Sequence, residues 1–452
     1  MILKTIPLSG PGAAGKFLLY RPLAGLAFVG NRSMKELTEK IAAQPDAEYS
    51  GEAVEFLRAA DFFSPDPPAP PPAGGGFRPI MAVLLLTNRC QLRCAYCYAA
   101  AGEHVPMELS TAFSRAAIDA VCENASAKSL PYFELSFHGG GEPTLAWAAL
   151  REAILYAREK PLKARVSLTS NGIWPADQEA WLLDNLDHLS LSMDGSPGIQ
   201  DRNRPFAAGG GSSAIVMRRI AELDRRRFPY GIRMTAVAPW EDLPRQVQFL
   251  CAETGCPSFQ VEPAFNTRRG GHAEPDPKEA LAFADAFLES FDLALRAGRF
   301  LTYSGARPGT VTSSFCSAPY DALIVNPRGN LVSCYEVADS DHPLADLSGI
   351  GRIGERGLQV DEPNRLRLHS WLESWRETCR DCFCYWSCAG DCYTRSFHAG
   401  PDGRLARGAR CVINRRVTEQ LLLRGIAEGG GIWSSRRSRS TRRPSPPAAI
   451  HI

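Results

Sequence analysis

The sequence predicts an α/β fold, namely a partial (β/α)6 TIM-like barrel between a small N-terminal α+β domain and a cysteine-rich C-terminal domain. Between residues 80 and 300, short apolar runs alternate six times with longer segments of helical periodicity. Repeated β/α units favour a parallel sheet, because each helix must cross back over it. Six units are fewer than a closed barrel needs, so we expect an open barrel with its site at the C-terminal ends of the strands.

The predicted strands and helices alternate along this barrel. The strands are expected at residues 81–86, 132–137, 164–169, 187–192, 231–237 and 258–262. The helices are expected at residues 110–124, 144–159, 176–185, 212–227, 241–254 and 278–297. These lengths are typical of strands and helices in β/α proteins.

The region before the barrel reads as a small module and a linker. Residues 1–63 combine short β-like runs with helical patterns at residues 33–43 and 51–60, which predicts an α+β unit. Residues 64–79 read SPDPPAPPPAGGGFRP. So much Pro and Gly excludes a helix or a central strand and predicts a linker.

The region after the barrel has a different sequence pattern. Residues 301–428 contain short β-like runs, a predicted turn at residues 326–329 and eight of the fourteen cysteines. Because this domain has few large apolar runs for its length, we expect bound metal to stabilise it. Residues 429–452 carry five arginines and no acidic residue, so we interpret them as a basic, disordered tail. Contact of the tail with RNA or another polyanion is the alternative.

Composition excludes several classes of protein. With 44% apolar and 22% charged residues, the chain is neither wholly disordered nor collagen-like. Its apolar runs are too short to span a bilayer, and its first thirty residues lack a cleavable export pattern. We therefore expect a cytoplasmic protein with no membrane partner. The net charge of +2 depends on the arginine-rich tail, so we expect no nucleic-acid partner for the folded part.

The cysteines indicate metal or redox chemistry, since a large chain without an export signal has little use for disulfides. Cys90, Cys94 and Cys97 are spaced C-x3-C-x2-C directly after the first predicted barrel strand. Three thiolates from one loop can ligate three irons of a 4Fe-4S cluster and leave the fourth iron open. A zinc site with a distant fourth ligand is the alternative.

Polar loops also follow the next three predicted strands. They read HGGGEPT at residues 138–144, TSNG at 169–172 and SMDG at 192–195. The C-terminal ends of parallel strands meet at one edge of the sheet, so we expect these loops to lie around the cysteines. Each loop alone is a weak signal, and their combination is a strong one.

The cysteine loop, with Tyr96 before its last cysteine, and the motif at residues 140–143 resemble the radical S-adenosylmethionine (radical SAM) superfamily. The resemblance implies that Cys90, Cys94 and Cys97 hold a 4Fe-4S cluster whose open iron binds S-adenosylmethionine. It also implies residues that contact three parts of this cofactor. These are Gly140, Gly141 and Glu142 at the methionyl amine, Ser170, Asn171, Ser192 and Asp194 near the ribose, and Arg233 near the carboxylate.

Seven further cysteines resemble the SPASM extension of radical SAM enzymes that act on peptides and proteins, which usually holds two auxiliary Fe-S clusters. By this resemblance one cluster has four thiolate ligands and the other has three. The first set is Cys379, Cys382, Cys388 and Cys411, and the second is Cys316, Cys334 and Cys392. Either Cys384 or a non-thiol group completes the second set, or an open iron accepts a substrate thiolate. Two structural zinc sites are the alternative.

The resemblance implies that a reductant such as flavodoxin or ferredoxin drives cleavage of S-adenosylmethionine to a 5′-deoxyadenosyl radical. The auxiliary clusters favour oxidation, such as cross-linking of a ribosomally synthesised precursor peptide. Formylglycine formation in a sulfatase is the alternative. Enzymes of that kind carry an aspartate base after the second auxiliary cysteine, whereas here Tyr335 and Glu336 follow it. Glu336 is thus a candidate acid or base. A non-catalytic Fe-S scaffold or electron carrier is the further alternative.

Residues 1–63 also resemble the PqqD-like domain that binds leader peptides. Such a domain recognises a peptide by adding it to a sheet as a further strand. A plain capping module is the alternative, because many small modules have an exposed edge.

Overall fold

The structure, a computed structural model, describes residues 1–271, 276–337, 342–355, 357–396, 398–399, 405–406 and 408–435. It begins with an antiparallel sheet and two helices. These are β1 (Lys4–Pro7), β2 (Lys16–Arg21), β3 (Leu26–Asn31), α1 (Arg32–Ala43) and α2 (Glu52–Ala59). Their apolar faces share a core that includes Phe28, Ile41 and Leu57. Both helices lie where the sequence predicts helical patterns.

Residues 64–79 contain no helix or strand, as their composition predicts. The segment is nevertheless fixed at both ends. Near its start, Arg21 donates to the Ser64 carbonyl over 2.8 Å and to the Asp66 carboxylate over 2.6 Å. Near its end, Arg365 donates to the Gly75 carbonyl over 2.7 Å. The linker therefore follows a defined path over the protein.

The barrel consists of alternating strands and helices. The strands are β4 (Met81–Leu84), β5 (Tyr132–Phe137), β6 (Lys163–Ser170), β7 (His188–Ser192), β8 (Tyr230–Ala236), β9 (Ser258–Pro263) and β10 (Phe300–Thr302). The helices are α3 (Thr111–Ala127), α4 (Trp147–Arg158), α5 (Ala176–Asn185), α6 (Pro197–Asn203), α7 (Ser213–Arg226), α8 (Leu243–Glu253) and α9 (Pro277–Arg296). All the predicted barrel elements are confirmed, while the short elements β10 and α6 are additional.

The C-terminal region adds short elements around the remaining cysteines. The first are α10 (Ala318–Asp321), β11 (Ala322–Val325), β12 (Asn330–Val332), α11 (Ala345–Ser348), β13 (Gly349–Gly354), β14 (Gly357–Val360) and α12 (Glu362–Glu377). The last are α13 (Tyr385–Cys388), α14 (Tyr393–Ser396), β15 (His398–Ala399), β16 (Leu405–Ala406), α15 (Arg410–Glu428) and β17 (Ile432–Ser434). The predicted turn at residues 326–329 joins β11 to β12, and the Gly329 amide donates to the Asn326 carbonyl over 2.9 Å.

The main sheet runs through both the barrel and the C-terminal region. Its strand order is β10-β9-β8-β7-β6-β5-β4-β11-β12-β13-β14. The pairs from β10 to β11 are parallel, and the three remaining pairs are antiparallel. The fold is thus the predicted open α/β barrel, although β11 pairs with β4 across the boundary predicted at residue 301. This continuous sheet fixes the C-terminal cysteines relative to the barrel.

The predicted start of the tail at residue 429 is wrong, because β17 joins the N-terminal sheet. It pairs antiparallel with β3, opposite residues 26–28. The Trp433 ring contacts Tyr20 edge-on at 6.2 Å, which buries the indole in the apolar core beneath β2. The nearby run of arginines obscured this short apolar strand in the sequence. Residues 436–452 lie outside the described residues.

Within the parts of the chain described here, every helix is too short or too polar to cross a lipid bilayer.

Candidate active site

The first cysteine motif lies in the loop that follows β4, at the C-terminal edge of the parallel strands. The thiols of Cys90, Cys94 and Cys97 are half-buried. The Arg93 amide donates to the Pro205 carbonyl over 2.8 Å, which ties this loop to the residues after α6. The main chain therefore sets the position of the three thiols.

The surroundings of Cys90 and Cys94 shift the ionisation of both thiols. Burial raises the pKa of the Cys90 thiol to about 12, and Glu142, Cys94 and Cys97 increase it further. Burial also raises the pKa of Cys94, although the positive charge of Arg204 opposes this shift. Since thiolates are the metal ligands, binding of a metal centre releases protons here.

The glycine loop after β5 touches the start of the cysteine loop. A β-carbon on Gly141 would lie 2.3 Å from the Arg89 carbonyl oxygen and 2.6 Å from that of Thr87. Gly140 has a φ of +80°, where a side chain is strained. The Glu142 amide donates to the same Arg89 carbonyl over 2.8 Å. Glycine is therefore required for this close approach of two main chains.

Glu142 brings several predicted site residues together. Its buried carboxylate accepts hydrogen bonds from the Ser170 hydroxyl, the Asn171 amide and the Thr144 hydroxyl, each over 2.8 Å. The Asn171 side chain also donates to Cys90 Sγ over 3.7 Å. Burial raises the pKa of Glu142, while the hydrogen bonds oppose this shift. The cysteine, glutamate and asparagine loops thus meet as predicted, and their ligand contacts stay predictions.

The geometry gives Asp194 a different role from the predicted ribose contact. Its carboxylate is buried and surrounded by protein donors. These are the Tyr96 hydroxyl, Asn203 Nδ2 (3.3 Å), Arg204 Nε (3.1 Å) and Nη2 (3.0 Å), and the Thr235 amide (2.9 Å). They use the acceptor capacity of both oxygens. We therefore assign Asp194 to positioning the cysteine loop, whereas Ser192 is half-buried at the end of β7.

Replacing Asp194 with asparagine is expected to destabilise the iron-free protein by about 3 kcal/mol or more, because it leaves the buried Arg204 cation without its counter-charge. Chemical denaturation followed by circular dichroism measures this change. The control is Glu55→Gln, which breaks an exposed ion pair with Arg58 and should leave the denaturation midpoint unchanged. Equal midpoints for Asp194→Asn and the unaltered protein would contradict the positioning role.

Arg233, predicted near the ligand carboxylate, pairs with a histidine that sequence analysis missed. Its Nη1 lies 3.1 Å from His138 Nε2, and the His138 ring lies 4.1 Å from the ring of Tyr335. His138 Nδ1 is buried and finds no partner among the described residues. Burial and Arg233 lower the pKa of His138 to about 3, so its imidazole is neutral near pH 7. The available signal was its position as the first residue of the HGGGEPT loop.

Glu336, the candidate acid or base, is buried and paired with cations. Arg395 Nε donates to Glu336 over 2.8 Å, and Arg395 Nη1 donates to Glu262 over 3.3 Å. The Thr394 hydroxyl also donates to Glu336, over 3.2 Å. Burial would raise the pKa of Glu336, but Arg395 and Thr394 outweigh it and lower the pKa. A carboxylate held in its ionised form by an ion pair is a poor general base.

The three-thiol set of the C-terminal region is also assembled. Cys392 Sγ and Cys334 Sγ lie 3.1 Å and 3.9 Å from the same atom, Thr394 Oγ1. Burial raises the pKa of Cys316 to about 12, and the next cause is Cys392. These three cysteines therefore share one buried region beside Glu336.

The four-thiol set lines a cavity of about 430 Å³ beneath the N-terminal sheet. Its walls include Cys379, Cys382, Cys384, Cys388, Cys411 and residues 4–7 of β1. Asn414 Nδ2 donates to Cys388 Sγ over 3.4 Å, and Cys384 Sγ lies 4.0 Å from the Asn414 carbonyl. Cys384 thus belongs to this region. This placement disfavours its recruitment to the Cys316 set, and the fourth ligand of that set stays a prediction.

The donor chemistry of the three sets fits Fe-S clusters, since each set supplies thiols alone and such clusters are held by thiolates. Arginines lie beside two of the sets, the buried Arg204 near Cys94 and the half-buried Arg395 near Cys392. These cations suit an anionic cluster. Among the residues that the structure describes, no three His, Cys, Asp or Glu side chains converge tightly enough to hold a single metal ion.

Comparison with known sequences supports this assignment. A sequence profile described as "Radical SAM superfamily" matches residues 84–243. The chain is 28% identical over 300 residues to the sporulation killing factor maturation protein SkfB of Bacillus subtilis, covering 64% of this chain and 66% of SkfB. It is 25% identical over 357 residues to the mycofactocin maturase MftC of Mycobacterium tuberculosis, covering 73% of this chain and 83% of MftC.

Comparison with solved structures supports the fold. Native anSMEcpe with bound AdoMet has a TM-score of 0.61 at 18% identity, covering 77% of this chain and 99% of that one. Streptococcus suis SuiB bound to the precursor peptide SuiA has a TM-score of 0.50 at 13% identity, covering 87% of this chain and 96% of that one. The shared fold thus includes the barrel and much of the C-terminal region.

The sequence profile spans the loops that carry Cys90, Glu142, Asn171 and Asp194. The resemblance drawn from the cysteine and glycine motifs is therefore confirmed. Members of this family use a 4Fe-4S cluster and S-adenosylmethionine, and they are enzymes. Residues 84–243 of this chain therefore form a radical SAM domain.

Proposed function

We propose that the chain cleaves S-adenosylmethionine reductively and oxidatively modifies, by cross-linking, a ribosomally synthesised precursor peptide. One observation carries this proposal: the Cys90 loop meets Glu142, Ser170 and Asn171 at the C-terminal edge of the sheet. Thiols for a cluster and a buried carboxylate for an ammonium group thus lie side by side.

The residues around the proposed cofactor have distinct tasks. Cys90, Cys94 and Cys97 hold the cluster. A reduced cluster held there would supply the electron for reductive cleavage of S-adenosylmethionine to methionine and a 5′-deoxyadenosyl radical, which would take a hydrogen atom from a substrate C–H bond. Glu142 accepts from the methionyl ammonium, and Gly141 lets the main chain approach the ligand.

Other residues fix the cofactor's remaining groups and exclude water. The guanidinium of Arg233 pairs with the carboxylate of S-adenosylmethionine, and the loop of Ser170 and Asn171 lies beside its ribose. The buried His138 ring and the half-buried Tyr335 ring close the space beside Arg233. A dry, preorganised site protects a reactive radical and holds the target bond within reach.

A peptide substrate is supported by the relatives, since SkfB and MftC are both named for maturation. Oxidation is supported by the two C-terminal thiol sets. After a hydrogen atom has been removed, a substrate radical completes an oxidation by losing one further electron and one proton. Auxiliary clusters at Cys379, Cys382, Cys388 and Cys411, and at Cys316, Cys334 and Cys392, would accept that electron. A reductant such as flavodoxin or ferredoxin would supply the first electron.

The N-terminal module has a restricted way to bind a leader peptide. Its sheet has the order β1-β2-β3-β17, so β17 already occupies the edge of β3. A peptide can therefore add as a further strand at the edge formed by β1, which borders the cavity of the four-thiol set. We propose that the module also covers that set from solvent.

The proposed activity predicts three results with anaerobically reconstituted protein. About twelve irons are expected per chain, for three cubane clusters. Incubation with dithionite and S-adenosylmethionine should form 5′-deoxyadenosine, measured by liquid chromatography and mass spectrometry. Co-expression with a short peptide encoded beside the gene should remove a pair of hydrogen atoms from the peptide for each cross-link.

Other outcomes identify other functions. A carrier or scaffold would contain iron and form no 5′-deoxyadenosine. A peptide that gains a methyl group would indicate that the enzyme catalyses methyl transfer instead of oxidation. An unmodified peptide together with formylglycine in a co-expressed sulfatase would support sulfatase maturation. The ion pair between Arg395 and Glu336 disfavours this alternative.

A further inference from the structure

Arg307, between β10 and Cys316, carries buried hydrogen-bond donors that are not used by the protein. Its Nε and Nη2 are shielded from solvent and find no acceptor among the described residues. Its guanidinium lies 5.1 Å from the centre of the Phe315 ring, next to Cys316. An aromatic face orients the cation but accepts none of its in-plane N–H bonds.

The segment that carries Arg307 is fixed between the two C-terminal thiol sets. The Thr312 amide donates to the Trp386 carbonyl over 2.9 Å, within the helix α13 that ends at Cys388. From the other side, the Tyr20 hydroxyl donates to the Pro308 carbonyl over 3.3 Å. Arg307 is therefore held in place by both the N-terminal sheet and α13.

The electrostatic environment of Arg307 points to both sets of thiols. Burial lowers the pKa of Arg307, and the groups that oppose this shift are Cys388, Cys316 and Asp391. Cys388 belongs to the four-thiol set and Cys316 to the three-thiol set. The geometry agrees, because Arg307 lies over Phe315, which precedes Cys316, and its segment is bonded to Trp386, two residues before Cys388.

Asp391 does not neutralise Arg307, because its carboxylate is already committed. It accepts from Arg410 Nε over 2.9 Å, from Arg410 Nη2 over 3.1 Å and from the Ser396 hydroxyl over 2.7 Å. A buried cation with unmade hydrogen bonds is costly. An anion that both sites share would remove this cost, and an Fe-S cluster with thiolate ligands is such an anion.

We propose that Arg307 is the shared counter-cation of both auxiliary clusters and raises their reduction potentials. The inference rests on the auxiliary clusters of the proposed function. A positive charge and N–H donors beside a cluster stabilise its reduced, more negative form. The two clusters are thereby poised together to take up an electron from the substrate.

The test measures the potentials of the reconstituted enzyme by redox titration monitored with electron paramagnetic resonance. Arg307→Gln removes the charge, and both auxiliary clusters should become harder to reduce. At a fixed potential, at least a tenfold change in the ratio of oxidised to reduced cluster is expected, or about 59 mV for a one-electron couple. The matched control is Arg365→Gln. Arg365 is also buried, but Glu362 and the Gly75 carbonyl satisfy it, so no shift is expected.

A second measurement needs no cluster. In the iron-free protein two shielded donors of Arg307 have no acceptor among the described residues, so Arg307→Met should raise the thermal unfolding midpoint, whereas Arg365→Met should lower it. If Arg307→Gln does not retain its iron, the thermal unfolding midpoints of the iron-free variants test the proposal instead. A lower midpoint for Arg307→Met, or unchanged potentials for Arg307→Gln at equal iron content, would overturn the proposal for Arg307.

Failure of the proposed function is distinguished by the unaltered protein. If that protein binds only about four irons, the auxiliary clusters are wrong and Arg307 has no partner there. If it binds about twelve irons and the variant keeps the same potentials, the inference about Arg307 alone is wrong.

Discussion

Replacing Cys97 with alanine is expected to abolish the formation of 5′-deoxyadenosine. The Cys90 loop supplies the three thiols of the proposed radical SAM cluster, and a cubane that keeps one open iron cannot lose a further ligand without losing its shape. The Gly270 amide donates to the Cys97 carbonyl over 2.9 Å, so the main chain of the loop is held independently of the thiol. The change should therefore remove the ligand and preserve the fold.

The measurement is 5′-deoxyadenosine per chain after anaerobic reconstitution, with iron content determined on the same sample. Iron should fall by about four per chain, which is one cubane, while the auxiliary clusters remain. Cys251→Ala is the matched control, because Cys251 is a half-buried thiol on α8 outside every predicted cluster set. Continued formation of 5′-deoxyadenosine by Cys97→Ala would contradict the ligand assignment.

Replacing Gly141 with alanine should lower the rate of 5′-deoxyadenosine formation by about 100-fold or more, since a misplacement of about 1 Å in a catalytic site has effects of this size. The new β-carbon would lie 2.3 Å from the Arg89 carbonyl oxygen, and this neighbour is main chain that cannot rotate away. The glycine loop must therefore move away from the cysteine loop. Glu142, which follows directly, moves with it and leaves the proposed ammonium site.

The matched control is Gly198→Ala on α6, where a β-carbon would meet nothing within 4 Å. This variant makes the same chemical change without a clash. Binding of S-adenosylmethionine, measured by calorimetry, should weaken in Gly141→Ala and stay unchanged in Gly198→Ala. Equal affinity and equal rates in both variants would refute the close-approach argument.

The barrel could be predicted because its sequence is locally consistent. The predicted strand at residues 132–137 matches β5, and the predicted helix at residues 176–185 matches α5. In each unit the apolar period, the turn residues and the helix ends agree. This agreement is missing at the short strand β17. Its two apolar residues lie beside a run of arginines and are too few to show a periodic pattern. Only its pairing with β3 makes it a strand.

The candidate site could be predicted where motifs follow strand ends. Cys90, Glu142 and Asn171 lie on three successive loops, and a parallel sheet brings such loops to one edge. The role of Asp194 could not be predicted, because its five donors come from separate segments, Tyr96, residues 203–204 and Thr235, which only the folded barrel brings together. His138 was missed for the same reason, since Arg233 becomes its neighbour only in the folded barrel.

By itself the sequence determined the alternation of strands and helices, the candidate thiol ligands and the loops on which they lie. These depend on local periodicity and on spacing within a few residues, which the chain carries wherever it folds. Only the tertiary structure decided that Cys384 lies with the four-thiol set, that Asp194 is saturated by protein donors and that two shielded donors of Arg307 have no acceptor among the described residues. Burial and partnership depend on contacts between distant segments, and no local pattern encodes which polar groups those contacts leave unpaired.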